Sequence, residues 1–221
     1  MAYRPVCRLD ADPIDVVGDV HGQLQALERL LELLGYDDAG RHPQGRRLVF
    51  VGDLGDRGPD SPGVFAIAMR AAASHGAVCV LGNHEVPFVD PEEGDRRKAG
   101  NAWFFGGGDA LTRDEADFGP FRRADAATAE RIRAFCLELP LVVEHPALRV
   151  VHACWDPASL AFIESIGAAS NAAVVLACRA RAAGHLAAAG LTARYPAARQ
   201  ALASRRRDPD WAPDHGVTVE E

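Results

Sequence analysis

One pattern, which occurs three times in the first half of the chain, limits the possible folds most strongly. A short apolar run ends at a glycine, and side chains able to bind a metal ion follow it directly. The three segments are Gly18-Asp19-Val20-His21-Gly22, Gly52-Asp53-Leu54-Gly55-Asp56-Arg57-Gly58 and Gly82-Asn83-His84-Glu85. Ligands of open α/β sheets lie beyond the carboxyl ends of parallel strands. The three segments are therefore predicted to converge on one pocket.

The sequence around these segments predicts parallel strand and helix units. Strands are predicted at residues 14–17, 47–51 and 77–81, because each is a short apolar run followed by glycine. A helix is predicted over 23–34, where leucines recur at spacings of three and four before Gly35, and an alanine-rich helix over 61–74. Strands that alternate with helices indicate an α/β fold.

Residues 88–120 contain too many glycines and prolines for one long element. They are interpreted as an insertion over the site. Trp103, Phe104 and Phe105 are predicted to pack and to hold this insertion in place.

The second half of the chain gives a weaker pattern. A helix is predicted over 126–138, followed by two strands of a hairpin or meander at 141–144 and 148–151, so the sheet is predicted to be mixed. Alanine dominates residues 167–204, which favours helix, although no apolar stripe identifies a buried face.

Length and composition limit the functional classes. The 221 residues have ordinary globular composition and predict one domain over residues 1–221. The formal net charge of -7 disfavours nonspecific binding to nucleic acid. The five cysteines are far apart and form no Cys-x-x-Cys pair, which is typical of buried thiols in a reducing compartment. No apolar stretch has the length of a signal peptide or membrane helix, so we expect a cytoplasmic protein without a membrane partner.

The residue types in the three segments suit a pair of metal ions. Asp19 and His21, two residues apart beyond a strand, can offer one oxygen and one nitrogen to a first metal. Asp53 has two oxygens and could bridge two metals. Two cations roughly 3.5–4 Å apart can lower the pKa of a water between them and stabilise an in-line displacement at phosphorus.

The sequences GDVHG, GDLGDRG and GNHE, in this order, resemble the three leading motifs of the phosphoprotein phosphatase branch of the calcineurin-like metallophosphoesterase superfamily. The resemblance covers about residues 14–156 and extends to bacterial serine/threonine phosphatases and diadenosine tetraphosphatases. It implies a four-layer α/β/β/α sandwich of mixed sheets with the metal site at the strand ends.

The resemblance also implies roles for the motif residues. Asp19 and His21 would bind one metal, and Asp53 would bridge. Asn83 would bind the second metal through its amide oxygen and lie against the substrate. A later family motif places a histidine after a strand, and His152 has that position.

The catalytic roles follow from the same resemblance. His84 would be the general acid that gives its proton to the leaving oxygen, with Asp56 holding its ring. Arg57 would bind the phosphoryl group, because its planar guanidinium matches two phosphate oxygens.

The sixth metal ligand stays open. Family members place a final histidine in a Gly-His pair, and Gly184-His185 is the one such pair in this sequence. His185 is therefore assigned, with His215 as the alternative and an absent ligand as the third possibility. Divergence, a different C-terminal topology or an altered C-terminal end would each explain the poor match of the remaining quarter, beyond residue 156.

These features predict a metal-dependent phosphatase that hydrolyses phosphate monoesters or a nucleotide polyphosphate with a water activated between two metals. The expected cofactors are two divalent ions, Mn²⁺ first, with Fe or Zn as alternatives. The expected substrate is a phosphorylated protein or a small nucleotide, and the acidic charge disfavours nucleic-acid ends. The alternative is a noncatalytic binding protein that keeps the fold but has an incomplete metal site.

Overall fold

The structure is a computed structural model that describes residues 3–90 and 100–192. The chain divides into two compact units, Met1–Leu176 and Ala177–Glu221. The elements, in chain order, are β1 (Val6–Arg8), β2 (Ile14–Val17), α1 (Leu24–Leu34), β3 (Arg47–Phe50), α2 (Ser61–His75), β4 (Val78–Cys79), α3 (Val86–Val89), α4 (Ala102–Phe105), α5 (Gly108–Phe118), α6 (Ala126–Glu138), β5 (Val142–His145), β6 (Leu148–Val151), α7 (Pro157–Ser165) and α8 (Asn171–Ala188). The single-domain assignment stays a prediction.

One sheet has the order β2-β3-β4, and all of its strands are parallel. Val17 pairs with Phe50, and Phe50 pairs with Cys79. The register therefore brings the carboxyl ends of the three strands to the same edge of the sheet. The three motif segments begin at that edge, as the sequence predicted.

The other sheet has the order β1-β5-β6 and is mixed, because β1 is parallel to β5 and β5 is antiparallel to β6. The predicted pairing of the last two strands is confirmed, with Val143 opposite Val150. Strand β1 was not predicted. The mixed α/β class is confirmed, and the antiparallel pairing lies in this second sheet beside a parallel one.

The core consists of two clusters of buried hydrophobic residues, and successive side chains of β3 point alternately into one and the other. Leu48 and Phe50 belong to the larger cluster, which also contains Leu27 and Leu31 of α1 and Val64 and Phe65 of α2. Val49, whose side chain points to the opposite face of the strand, belongs to a smaller cluster of valines from both sheets, namely Val49, Val80, Val143 and Val150. The two sheets therefore pack against each other through these valines.

Capping residues mark the start of α2 and α6 and the end of α1. Asp60 accepts a hydrogen bond from the Gly63 N–H at 2.7 Å at the start of α2. Asp125 accepts one from the Thr128 N–H at 2.7 Å at the start of α6, which has the bounds that the sequence predicted. Gly35 ends α1 in the left-handed conformation, also as predicted.

Two predicted elements differ from those observed by more than one residue at an end. The third strand, predicted over 77–81, pairs only as Val78–Cys79. The Val80 N–H still donates to the Phe50 carbonyl at 2.9 Å, but the Leu81 N–H donates to Pro140, just before β5. The chain thus leaves the β3 ladder at that point. The alanine-rich helix predicted over 167–204 is observed as α8, and residues 193–204 lie outside the described part.

Residues 88–120 were predicted not to form one long element, and the described part of this segment confirms that. The segment contains the end of α3, then α4 and α5, and residues 91–99 lie outside the described part. Trp103 and Phe104 are buried, and the Phe104 ring stacks on Phe88 with centroids 4.2 Å apart. The predicted packing of these aromatic residues is confirmed. Among the described residues, no helix combines the length and apolar character needed to cross a membrane.

Candidate active site

Main-chain hydrogen bonds join the loops that follow β2 and β3. The N–H groups of Val20 and His21 both donate to the Asp53 carbonyl, at 3.0 and 2.9 Å, and the Gly22 N–H donates to Leu54 at 2.8 Å. Gly58 lies against the same loop, since a Cβ there would lie 2.0 Å from the His21 carbonyl oxygen. Glycine at position 58 is therefore required for the close approach of the two loops.

Glu85 fixes the loops that follow β3 and β4. Its Oε2 accepts hydrogen bonds from the N–H groups of Asp53 and Gly82 at 2.9 and 3.0 Å, and its Oε1 accepts one from Leu54 at 2.9 Å. The side chain is fully buried. Burial, and next the charge of Asp53, raise the pKa of Glu85 to about 7, against the lowering effect of the backbone bonds. Sequence reasoning missed this role, although Glu85 ends the third motif.

The backbone is strained at four site residues. His21, Asp53, Asp56 and Arg57 have φ values of 45°, 49°, 71° and 66°, and they are the non-glycine residues with positive φ among those that the structure describes. Such conformations are uncommon for residues with a Cβ and cost on the order of 1–3 kcal/mol each. All four belong to the predicted site, so the local strain and the motif side chains coincide.

The Asp53 carboxylate lies between two groups of possible ligands. Its Oδ2 is 3.8 Å from His21 Nε2 and 3.9 Å from His84 Nε2. Its Oδ1 is 3.4 Å from His152 Nε2. In the described part of the chain, His21, Asp53 and His84 form a group whose ligand atoms all lie within 4.8 Å of one another. Donors on both sides of one carboxylate are the arrangement that a bridging ligand needs.

His152 and Asn83 meet on the Oδ1 side of Asp53, although they are far apart in sequence. His152 Nε2 lies 2.9 Å from Asn83 Oδ1, and His152 Nδ1 lies 2.8 Å from the Val51 carbonyl oxygen. His21 has the same kind of support, with Nδ1 3.0 Å from the Gly55 carbonyl oxygen. In metal sites, a carbonyl at one ring nitrogen orients a histidine so that the other nitrogen faces the ion.

His84 and Asp56 form a buried pair. His84 Nδ1 lies 2.6 Å from Asp56 Oδ2, and Asp56 is completely inaccessible to solvent. Burial raises the pKa of the Asp56 carboxyl, and the hydrogen bonds from His84 and Trp103 oppose this increase. The Trp103 Nε1–H donates to Asp56 Oδ1 at 2.7 Å. Sequence reasoning assigned only a packing role to Trp103, and no sequence signal relates it to Asp56.

Arg57 lies on the solvent side of these histidines. Its exposed guanidinium places Nη1 3.1 Å from His21 Nε2 and Nη2 3.0 Å from His84 Nε2. The Arg57 N–H donates to the Gly100 carbonyl at 3.1 Å, which connects this loop to the segment before α4. The guanidinium is thus positioned for an anion that approaches His21 and His84 from solvent.

The structure does not bring every predicted ligand into this cluster. Asp19 lies in the loop before α1 with an exposed side chain, outside the three-residue group found in the described residues. His185 lies on the part of α8 that belongs to the second unit, and its side chain is exposed. His215 lies outside the described residues. The metal roles of all three stay predictions.

The donor set fits divalent transition metals. His21 and His152 offer imidazole nitrogens, Asp53 offers two carboxylate oxygens, and Asn83 offers an amide oxygen. Imidazole combined with oxygen ligands suits Mn²⁺, Fe and Zn²⁺.

A family model of calcineurin-like phosphoesterases matches residues 12–136, which is more than half of the chain. The chain belongs to the calcineurin-like phosphoesterase family. Phosphoester hydrolysis is the chemistry that this family name denotes, and the matched range contains all three motif segments.

Several proteins resemble this calcineurin-like chain. The asymmetrical bis(5'-nucleosyl)-tetraphosphatase PrpE of Oceanobacillus iheyensis is 45% identical over 74 residues, which are 32% of this chain and 30% of that protein. Serine/threonine-protein phosphatase 1 of Salmonella typhimurium is 35% identical over 148 residues, 65% of this chain and 59% of that protein. The matches therefore span less than two thirds of these relatives.

Among solved structures, a protein serine/threonine phosphatase from Saccharomyces cerevisiae is 20% identical, with a TM-score of 0.43. The overlap covers 65% of this chain and 40% of that chain. The family assignment rests on the sequence match.

Proposed function

We propose that this chain is a metal-dependent phosphoesterase that hydrolyses phosphate monoesters or a nucleotide polyphosphate with a water activated between two divalent metals. The observation that supports this most directly is the position of Asp53, with His21 and His84 facing one oxygen and His152 facing the other. Mn²⁺ is the expected ion, with Fe or Zn as alternatives. A four-layer α/β/β/α arrangement and a cytoplasmic location belong to the same proposal.

The ligand assignment follows the two sides of Asp53. Asp19 and His21 would hold one metal with Asp53, and Asn83 and His152 would hold the other. When bound, the metals supply the water activation and the charge neutralisation that phosphate ester hydrolysis requires. His185 completes the predicted set, with His215 as its alternative.

The remaining site residues would bind phosphate and transfer a proton. The Arg57 guanidinium, close to both His21 and His84, would bind two phosphoryl oxygens and orient the ester. His84 would donate the proton that the leaving oxygen takes, while Asp56 holds His84 Nδ1 and thereby directs Nε2 to the substrate side.

The substrate class follows from the charge of the chain and from its relatives. A net charge of -7 favours a small or loosely held anion over a nucleic-acid end. The names of the relatives indicate a bis-nucleoside tetraphosphate for one and phosphoserine or phosphothreonine proteins for the other. We therefore propose a small nucleotide or a phosphorylated protein as the substrate of this chain.

The first test is hydrolysis of p-nitrophenyl phosphate by the purified full chain with Mn²⁺, beside His84→Asn and Asp53→Asn. We expect turnover that a chelator abolishes. His84→Asn should lower kcat with the metal content unchanged. The loss should be roughly 10²–10⁴-fold on phenyl phosphate, where general acid catalysis of a basic leaving group contributes about that factor, and smaller on p-nitrophenyl phosphate. Asp53→Asn should lower both turnover and the number of metals bound per chain.

The control is His145→Asn, which alters the half-buried last residue of β5, outside the candidate site, and should leave turnover unchanged. The noncatalytic alternative predicts a different result. Wild-type protein without chelator-sensitive turnover, and with fewer than two metals per chain, would overturn the enzyme proposal. The same metal analysis on His185→Ala and His215→Ala distinguishes the candidates for the sixth ligand.

A further inference from the structure

The buried Asp56 carboxylate has a second partner that the proposed chemistry does not yet use. Trp103 Nε1–H donates to Asp56 Oδ1 at 2.7 Å, while His84 Nδ1 occupies the other oxygen at 2.6 Å. We propose that Trp103 is a positioning residue, which orients the Asp56 carboxylate and, through it, the His84 ring. This inference rests on the proposed function, in which His84 is the proton donor.

The positions of the two carboxylate oxygens support this role. Asp56 is fully buried, so each oxygen needs a donor from the protein to replace water. Two N–H groups on opposite oxygens leave the carboxylate plane little freedom to rotate. Because Oδ2 receives the His84 Nδ1 contact, a rotation of the carboxylate would turn the imidazole and move its Nε2.

The indole itself is held rigidly. A Cβ on Gly55 would lie 2.8 Å from Trp103 Cζ2, so the loop backbone lies directly against the ring. The rings of Phe65 and Phe88 pack on it with centroid distances of 5.9 and 5.6 Å. Asp114, which is also buried, accepts a hydrogen bond from the Ala102 N–H at 2.8 Å and fixes the start of α4. A donor held this firmly can determine the orientation of its acceptor.

Packing alone does not require the N–H group. Phe65, Phe88 and Phe104 are apolar neighbours of Trp103, and a phenylalanine at position 103 would satisfy them. The N–H group is needed at the Asp56 oxygen. The hydrogen bond can therefore be removed while most of the apolar packing is kept, and Phe104→Leu offers a matched packing change on the same helix without loss of that bond.

The experiment compares Trp103→Phe with Phe104→Leu in the full chain with Mn²⁺, on phenyl phosphate and on p-nitrophenyl phosphate. The phenolate that leaves phenyl phosphate is the more basic, so its release depends more on a proton from His84. We expect Trp103→Phe to lower kcat for phenyl phosphate roughly tenfold more than for p-nitrophenyl phosphate, since one hydrogen bond to a charged group is worth about that factor. KM and the metal content should not change. Phe104→Leu should affect both substrates equally.

A second readout does not depend on turnover. The Trp103 indole N–H resonance, identified by its loss in Trp103→Phe, should shift in Asp56→Asn, and the His84 Nδ1–H resonance should shift in Trp103→Phe. If Trp103→Phe fails to fold, benzothienylalanine at position 103 keeps the ring shape without the N–H.

Three results would overturn the inference. They are an equal loss on the two phosphate esters, a loss of metal from Trp103→Phe, or a His84 Nδ1–H resonance that Trp103→Phe leaves in place. Wild-type protein without chelator-sensitive turnover would instead refute the proposed function. The His84 resonance would then decide alone whether Trp103 positions the pair.

Discussion

At the residue level, backbone strain coincides with the side chains proposed for chemistry. His21, Asp53, Asp56 and Arg57 have positive φ, at a cost on the order of 1–3 kcal/mol each. Hydrogen bonds from the same loops offset this cost, above all those accepted by the buried Glu85 carboxylate. The fold therefore stabilises a conformation that the isolated loops would not adopt.

Asp15 lies outside the candidate site, and its charged side chain stabilises the fold. Arg46 donates to both of its oxygens, with Nε at 2.7 Å from Oδ2, and the Tyr36 hydroxyl donates to Oδ2 at 2.8 Å. The hydrogen bonds from Arg46, more than that from Tyr36, hold the pKa of Asp15 below its ordinary value of 3.8, although burial opposes them. Ionised Asp15 is therefore favoured in the folded chain.

Asp15→Asn should lower the free energy of unfolding at pH 7 by roughly 1–3 kcal/mol, because hydrogen bonds to a charged group weaken. The folded-state pKa is depressed, so this contribution is fully present above about pH 4 and is lost as the pH falls through the folded value. Urea unfolding at several pH values measures it. The control Asp12→Asn changes an exposed carboxylate 3.7 Å from Arg47 and should have little effect at any pH. An Asp15→Asn deficit that persisted at low pH would contradict this explanation.

At the level of elements, the site depends on how closely the loops after β3 and β4 approach. Gly52 has a φ of 99°, and a Cβ there would lie 2.6 Å from both the Cα and the N of Gly82. The approach brings Asp53 close to the third motif, whose His84 N–H donates to Asp53 Oδ1 at 2.9 Å. A larger side chain at position 52 must separate these two loops.

Gly52→Ala should therefore destabilise the chain by roughly 2–4 kcal/mol, the sum of left-handed strain and overpacking. Gly45→Ala is the matched control, since Gly45 also has positive φ, 69°, but has no atom within 4 Å of an added Cβ. It should cost only the strain, about 1 kcal/mol. Thermal and urea unfolding of both variants measure the difference. Equal losses of stability in the two variants would show that the close contact with Gly82 does not restrict the side chain at position 52.

The same elements show what the sequence could predict. The helix 126–138 and the strand 14–17 were predicted with their observed bounds, because caps and apolar runs mark them locally. Strand β1 has three residues and exists through its pairing with β5, far along the chain, so no local pattern predicts it. The hydrogen bond from Trp103 to Asp56 likewise depends on where α4 packs. The motif residues were identifiable from their spacing, whereas the partners that orient them were not.

At the level of the whole first unit, the ligand cluster draws on both sheets. His21 and Asp53 follow β2 and β3 of the parallel sheet, whereas His152 follows β6 of the mixed sheet. The valine cluster that joins the sheets therefore also sets the distance between His152 and Asp53. A metal held by residues from both sheets would bind the folded chain and not the unfolded one, so its binding should stabilise the fold.

Mn²⁺ should therefore raise the thermal midpoint of the wild-type chain relative to chelated protein. At a free concentration 100 times the dissociation constant, one site contributes about 2.7 kcal/mol, which corresponds to a shift of roughly 5–10 °C for a chain of this size. His152→Ala should abolish the part of the shift that comes from the metal held by Asn83 and His152, because it removes that metal's ligand from the mixed sheet. His145→Ala, which alters the last residue of β5, should keep the whole shift, whatever its effect on the metal-free midpoint. If His152→Ala retained the full shift while Asp53→Asn lost it, metal would bind through the parallel sheet alone, and the proposed bridging role of Asp53 would be wrong.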